Sequence, residues 1–378
     1  MGKSYDLAIV GAGILGLAHA LAATRLGLKV IVIDRDARAN GASVRNFGFV
    51  TVSGQEEGQA WERAMRSRDV WAEVAPKAGI RVEHEGLTVV ARRPEAMTVL
   101  EAFMRTAMGE QCELLTAVAT RRRLPMTTPN PIAGGLYSPH ERRVESREAI
   151  PKLTAWLAEA LGVRFLWSTS VQHIDVPRIE TSAGTIMAET AIVCPGDDFT
   201  SLYAERLAPY RLTRCKLHMM RVDPGDPGWR LPSAVMSDLS LVRYHGFAAL
   251  PEAAALRRRI EAEQPEALAN GVHLIVVQSA DGSLVVGDSH HYGDTPDPFA
   301  PESVDRIIYD DMLATLSLPS PRITERWIGI YASSADRLAI VDRPSDAVRI
   351  VIVTSGTGAS TGFAIGEETV RDLFGRAA

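Results

Sequence analysis

The residues with the plainest chemistry lie near the start of the chain: Gly11-Ala12-Gly13-Ile14-Leu15-Gly16, followed by an acid, Asp34, at the end of a second apolar run. Glycines so placed let the chain turn sharply, bring its backbone against a pyrophosphate and set a helix close on a strand. The N–H groups and positive dipole of that helix would face the phosphates. A carboxylate about twenty residues further on can accept hydrogen bonds from both ribose hydroxyls and repels a 2′-phosphate. The pattern predicts a dinucleotide site; the competing explanation is a strand–helix–strand unit whose glycines only turn the chain. A second glycine-rich loop, Thr354-Ser355-Gly356-Thr357-Gly358-Ala359-Ser360-Thr361-Gly362, stands near the other end. Two such loops allow two helix N-termini to converge on one ligand. A nicotinamide dinucleotide seldom needs that, whereas a flavin dinucleotide uses one loop for its pyrophosphate and the other for its ring.

Periodicity supplies the elements that must hold these residues. Leu7–Val10 reads as a strand, the Ala/Leu-rich stretch to Leu26 as a helix stopped by Gly27, and Val30–Ile33 as a second strand. Arg45-Asn46 follows in a polar loop directed at the ligand, with an ordinary surface turn as the alternative. Helical periods cover Glu56–Ala78 and Pro94–Met108, with a strand at Leu87–Val90 between them. Pro125–Pro139 has no period and reads as loop. Ser146 is a plausible N-cap for the helix Ala149–Leu161, which Gly162 closes. Val163–Trp167, two short strands about Gly184, and Thr190–Cys194 return to the first sheet. From Tyr210 to about Ser320 strand-like runs dominate (Leu217–Val222, Ser233–Met236, Ser240–Tyr244, His273–Ser279, Leu284–Asp288), with helices at Glu252–Glu263 and Pro301–Thr315. The strand Val348–Val353 and the helix Phe363–Phe374 flank the second glycine loop. The expected fold is α/β: a discontinuous Rossmann-like dinucleotide domain (1–85, 146–209 and 321–378) with an inserted α+β substrate domain built on an antiparallel sheet (86–145 and 210–320).

Composition excludes several partners. The 378 residues carry a net charge of −5, with 46% hydrophobic and 23% charged, an ordinary globular balance that gives no reason to expect nucleic acid or an anionic membrane. The apolar N-terminal run is short and broken by glycine, so no membrane span is expected, and a cytoplasmic enzyme is the default. Cys112, Cys194 and Cys215 are far apart, and neither CxxC, HxxH nor a carboxylate–histidine ligand spacing occurs, so no disulfide and no metal are expected.

The opening motif, GGLYSPHERRVESREAIPKL, AETAIVCPG and TSGTGASTGF, in that order, resemble the D-amino-acid oxidase/glycine oxidase/sarcosine oxidase family of FAD-dependent amine oxidoreductases. The resemblance runs over essentially the whole chain. ASVRNFGFVTVSGQ, NGVHLIVVQSADGSLVVGDSHHY and ERWIGIYASSADR are similar to a branch associated with bacterial aminophosphonate breakdown. By that resemblance, Gly11, Gly13, Ile14, Leu15 and Gly16 hold the FAD pyrophosphate, and Asp34 and Arg35 sit at the adenosine ribose. Ser43, Arg45 and Asn46 lie beside the flavin ring, Val171 clips the adenine through its backbone, and Gly196 approaches the cofactor at the sheet edge. Gly356, Gly358, Ala359, Ser360 and Thr361 donate N–H groups toward the pyrimidine end of the ring.

One departure bears on substrate. Amino-acid-oxidising members carry an arginine after a WxGL-like strand, and Trp327-Ile328-Gly329-Ile330-Tyr331 puts Tyr331 there. A phosphonate offers three acceptor oxygens and is best met by several cationic donors. The candidates are Arg45, Arg214, Lys216, Arg243, His245, His290, His291 and Arg337, with a satisfied polar residue as the competing explanation for Arg243, His245, His290 and His291. His290 and His291 end a strand and point to opposite faces, so at most one reaches a ligand. The expected reaction is oxidative deamination of a small amine, such as 2-aminoethylphosphonate or its N-methyl or 1-hydroxy relatives, to the aldehyde. His290, His291, Tyr331, Arg45 and Arg243 are the candidate catalytic residues. FAD is expected to be noncovalent, and dioxygen or another acceptor takes the electrons. The alternatives are oxidation of glycine, sarcosine or another small amino acid, and a flavin-binding module without turnover.

Overall fold

The protein, seen in a computed structural model that describes residues 4–375, is built on two sheets that share one long cavity. In the first sheet, β1 (Ser4–Val10) lies between β2 (Val30–Ile33) and the strand Gly184–Val193, parallel to both. Val348–Val353 and Arg164–Leu166 extend the sheet in parallel, and Ala339–Ser345 closes one edge antiparallel. Val10, Ile33 and Val193 lie in register at one rim, the carboxyl ends of the strands, where open α/β sheets bind ligands.

The helix α1 (Ile14–Arg25) leaves that rim directly from the glycine loop. Its Ala/Leu composition favours helix, and Ile14 to Ala23 are all buried because it is covered on both sides. One cover is the first sheet; the other is the helix Gly358–Phe374. A Cβ on Gly366 would stand 2.9 Å from the backbone of Ala18, so the helices approach at backbone distance. Their N-termini thus lie side by side, as two converging glycine loops require.

In the second sheet, Thr213–Asp223 pairs along its length with Arg322–Ser333 and, on its other edge, with Leu284–Gly287 and His291–Gly293. The order continues through Ile275–Gln278, Ala234–Ser237, Val82–Ala91, Gly134–Val144 and Phe49–Val50. The expectation of an antiparallel sheet holds except between Ala234–Ser237 and Val82–Ala91, which are parallel.

Several elements differ from their sequence reading. Residues 134–139 are not loop: Gly134–Val144 is one strand, and Pro139 is accommodated because the pairing with Val82–Ala91 bulges between Glu85 and Leu87. Two strands do meet about Gly184, Arg178–Thr181 and Gly184–Val193, but the second runs on to Val193 and takes in the strand expected at Thr190–Cys194. Ser240–Tyr244 is no strand; a tight helical turn covers Asp238–Val242, fixed by the buried Asp238 carboxylate accepting the N–H groups of Arg92 and Arg93. Ser146 begins its helix instead of capping it, and its hydroxyl donates to the Asn46 carbonyl at 3.2 Å. The last helix begins at Gly358, so half of the second glycine loop is its first turn. Finally, Arg322–Ser333 belongs to the second sheet, and with it the sheet crosses the boundary expected at 321; Phe49–Val50 and Val82–Glu85 cross likewise.

Candidate functional site

A cavity of about 870 Å³ runs from Asp34 and Val171, past both helix N-termini, to Arg243 and Tyr331. At one end it is lined by backbone. Gly11 has φ +102° and a Cβ there would meet the Cys194 carbonyl at 2.4 Å; at Gly16 a Cβ would fall 1.8 Å from the Gly11 carbonyl oxygen. Only glycine fits either place. The Ser43 hydroxyl accepts the Ile14 N–H at 2.9 Å, and the Leu17 N–H bonds to the Gly13 carbonyl. That leaves the amides of Gly13, Leu15 and Gly16 without an acceptor among the described residues. Ile14 and Ser43 both line the cavity, and Ser43 stands at the first helix N-terminus, where its hydroxyl takes the Ile14 N–H.

Asp34 binds the loop to the second strand: Oδ2 accepts the Ala12 N–H at 2.6 Å and Oδ1 the Asp36 N–H at 2.9 Å. Each oxygen keeps a second lone pair for a ribose hydroxyl. Arg35 is exposed and held by Asp198 at 2.6 Å across the cavity mouth. Val171 and Gly196 both line the cavity. Asn46 donates to the Ala42 carbonyl and accepts the Gly48 N–H, which shapes the loop and leaves it one amide N–H and one lone pair on the cavity wall. The Arg45 side chain lines the cavity with no hydrogen bond or ion pair to any described residue, while its carbonyl accepts from the Trp327 indole.

At the second helix N-terminus the amides of Ser360 and Thr361 both bond to the Thr357 carbonyl, so they are consumed within the turn. The N–H groups of Gly358 and Ala359 have no acceptor among the described residues, and the Ser360 hydroxyl accepts the Thr51 N–H at 2.9 Å. Gly356 lies against the ring of Tyr331, which a Cβ would approach to 3.0 Å. Tyr331 itself faces Cys215 across the paired strands. Burial holds its phenol well above the usual range, so it remains a neutral hydroxyl.

Beyond Tyr331 the wall becomes polar side chain. Arg243 donates to the Tyr292 hydroxyl at 2.7 Å and makes no ion pair among the described residues. Burial pushes the Tyr292 phenol up as well, although Arg243 opposes it. His290 lines this cavity and His291 does not: His291 opens on a separate cavity of about 400 Å³ with Lys216 and His218. The opposite-face expectation holds, and His291 drops out of the site. Burial lowers the His290 pKa to about 3, so its imidazole is neutral at ordinary pH, with Nδ1 2.9 Å from the Gly271 carbonyl. His245 lines the cavity but is exposed and stands 3.7 Å from Glu56.

The remaining cations fall elsewhere. Arg214 donates to the Asp197 and Asp294 carbonyls, Lys216 to those of Asp297 and Phe299, and Arg337 pairs with Asp336 at the surface. Alternation along Thr213–Asp223 turns Cys215 toward Tyr331 and its two basic neighbours away.

Two residues were not foreseen. His273 and Asp288 sit opposite each other where two strands end, their backbones exchanging hydrogen bonds, and both line the cavity. Asp288 Oδ1 lies 2.9 Å from His273 Nε2 and 4.0 Å from His290 Nδ1. The ligating atoms of His273, Asp288 and His290 all fall within 4.8 Å of one another. Spacing along the chain could not reveal this cluster, because the strands assemble it.

The donor set at the first helix suits a diphosphate, Asp34 a ribose, and the second helix N-terminus an electron-rich ring edge, along one cavity of the size range that cofactor sites occupy. The chain belongs to the family of FAD dependent oxidoreductases, whose pattern matches residues 6–371, and its cofactor is FAD. It is similar to the monomeric sarcosine oxidase of Bacillus sp. (strain B-0618), 25% identical over 225 residues, which are 56% of this chain and 57% of that one. The chain spans about half the length of the curated relatives it matches. Its fold is that of glycine oxidase from Geobacillus kaustophilus, at a TM-score of 0.78 and 18% identity, covering 100% of this chain and 96% of that one. L-alpha-glycerophosphate oxidase from Mycoplasma pneumoniae, solved with FAD bound, aligns at a TM-score of 0.75 and 18% identity over 98% and 95% of the two chains. No helix among the described residues is long and apolar enough to cross a membrane.

Proposed function

We propose that the chain oxidises a small amine that also carries an anionic group, and that the anion is held by Arg243. The observation that carries this reading is Arg243 itself, a guanidinium in the wall of the FAD-binding cavity with a phenol as partner and no carboxylate. An arginine so placed keeps its charge and has donors left for an incoming anion. Bound FAD supplies an acceptor for two electrons and a hydride from the carbon beside the substrate nitrogen. Around it the protein orients the substrate: Arg243 and Tyr292 fix the anion, and Tyr331 adds a neutral hydroxyl donor. The imine product takes up water and leaves as aldehyde plus ammonia or amine.

The finer reading is an aminophosphonate such as 2-aminoethylphosphonate, giving phosphonoacetaldehyde, with dioxygen reduced to hydrogen peroxide. It is supported by Tyr331 standing where amino-acid-oxidising members carry arginine and by Arg45 as a second unpaired cation on the cavity. Glycine, sarcosine or another small amino acid is the second reading, supported by the similarity to sarcosine oxidase. Anaerobic bleaching of the flavin band separates them. The panel is 2-aminoethylphosphonate, its N-methyl and 1-hydroxy relatives, glycine, sarcosine and D-alanine. Bleaching by the phosphonates is expected; bleaching by glycine or sarcosine with the phosphonates inert rejects the aminophosphonate.

A further inference from the structure

The same end of the cavity that presents a cation without a carboxylate partner also presents an anion, Asp288, whose close neighbours are histidines. Asp288 is 4% exposed and lines the cavity, and its Oδ1 accepts no aligned hydrogen bond, although His273 Nε2 is 2.9 Å away. A buried carboxylate oxygen without a donor is costly unless something charged meets it. His290 cannot, because it is neutral at ordinary pH. Against the upward push of burial, the Asp288 carboxyl is held down first by His273 and His290 and then by Arg243, with which it forms no ion pair. Two opposite charges in one wall, sensing each other and left unjoined, form a receptor for a molecule bearing both charges.

We propose that Asp288 is the binding residue for the substrate's ammonium group, so that the site selects zwitterions, with Arg243 on the anion and Asp288 on the amine. The proposal rests on the amine-oxidation reading above and narrows it: neutral-bodied amines without an anion, and anions without an amine, each meet half the receptor. His273, 2.9 Å from the carboxylate and with Nδ1 3.5 Å from the Ser240 hydroxyl, positions Asp288 without touching substrate. The same three groups, His273, Asp288 and His290, could instead gather a divalent cation, and the test must separate the two.

Amines lacking a hydrogen on the carbon beside nitrogen cannot be oxidised, so binding can be read on the intact holoenzyme from the shift of the flavin spectrum. The probes are 2-aminoisobutyrate against isobutyrate, and 2-amino-2-methylpropylphosphonate against 2-methylpropylphosphonate. The ammonium-bearing member of at least one pair is expected to bind about 10- to 100-fold more tightly, the range of a charge-assisted hydrogen bond. Asp288→Asn should abolish that preference while leaving flavin content and the affinity for the amine-free anion within about 3-fold. Equal affinity for both members in the unaltered enzyme would overturn the proposal without any variant. So would Asp288→Asn weakening both members alike, or a stoichiometric transition metal whose removal by chelator eliminates the preference. If no member of either pair perturbs the flavin, the anionic-amine reading fails along with it. If anions bind but the ammonium adds nothing, only the role of Asp288 fails.

Discussion

The two ends of the cavity are made of different material. The nucleotide end is backbone: amides of Gly13, Leu15, Gly16, Gly358 and Ala359, released by two helices that begin there. The end proposed for substrate is side chain: Arg243, Asp288, Tyr292 and Tyr331, each delivered by a different stretch of the second sheet and its loops. Backbone donors depend on where a helix starts, and glycines fix that locally. Side-chain groups depend on strand register and can be exchanged one at a time without disturbing the helices. The cofactor end should therefore fail as a unit, and the substrate end residue by residue.

The most damaging single change should be Gly16→Val. Its Cβ would fall 1.8 Å from the Gly11 carbonyl oxygen, and the clash meets backbone, which cannot move aside. FAD affinity should drop by more than ~100-fold, seen as a colourless purified protein. Arg243→Met comes next. The Michaelis constant for the anionic amine should rise about 30-fold or more with flavin content unchanged, because the lost donors face substrate alone. Flavin loss in Arg243→Met would break the division between the two ends.

A smaller effect should come with acid. His19, buried in α1 beneath the glycine loop, has its pKa lowered to about 4 by burial. Between about pH 6.5 and 4 the unfolded chain takes up a proton there that the folded chain refuses, so stability falls as pH falls through that window. At pH 5 the loss is about 2 kcal/mol, and His19→Gln should lessen the drop in thermal midpoint between pH 7.5 and pH 5. Smallest of all is Tyr331→Phe. Its phenol stays protonated, so the pH–rate profile should keep its inflections and turnover should change by only about 3-fold, one neutral hydrogen bond.

How far the sequence disclosed the molecule follows the same division. The glycine loop, β1, α1, β2 and Asp34 were legible because a short stretch contains all the geometry they need. The two helix N-termini were legible as well, but not which amides were free: Ser43 takes the Ile14 N–H from another loop, and Thr357 takes those of Ser360 and Thr361. At the substrate end Arg243 and His290 emerged from residue type alone, and alternation separated His290 from His291. Asp288 and His273 were missed, because the regular hairpin register, Ile275 opposite Gly287, sets Leu274 opposite Asp288. Only a one-residue shift beyond Gly287 brings the Asp288 backbone onto that of His273, and strand spacing does not disclose it. The competing cations Arg214 and Lys216 could be set aside only once the register of Thr213–Asp223 was known, and Arg337 only once its surface pairing with Asp336 was seen.

A crystal structure of the FAD-loaded protein with 2-methylpropylphosphonate or isobutyrate locates both ligands at once. It should show the pyrophosphate on the amides of Gly13, Leu15 and Gly16, and the anion on the guanidinium of Arg243 beside Tyr292. An anion seated on Arg45 with Arg243 empty, or a pyrophosphate away from the first helix, would contradict that arrangement.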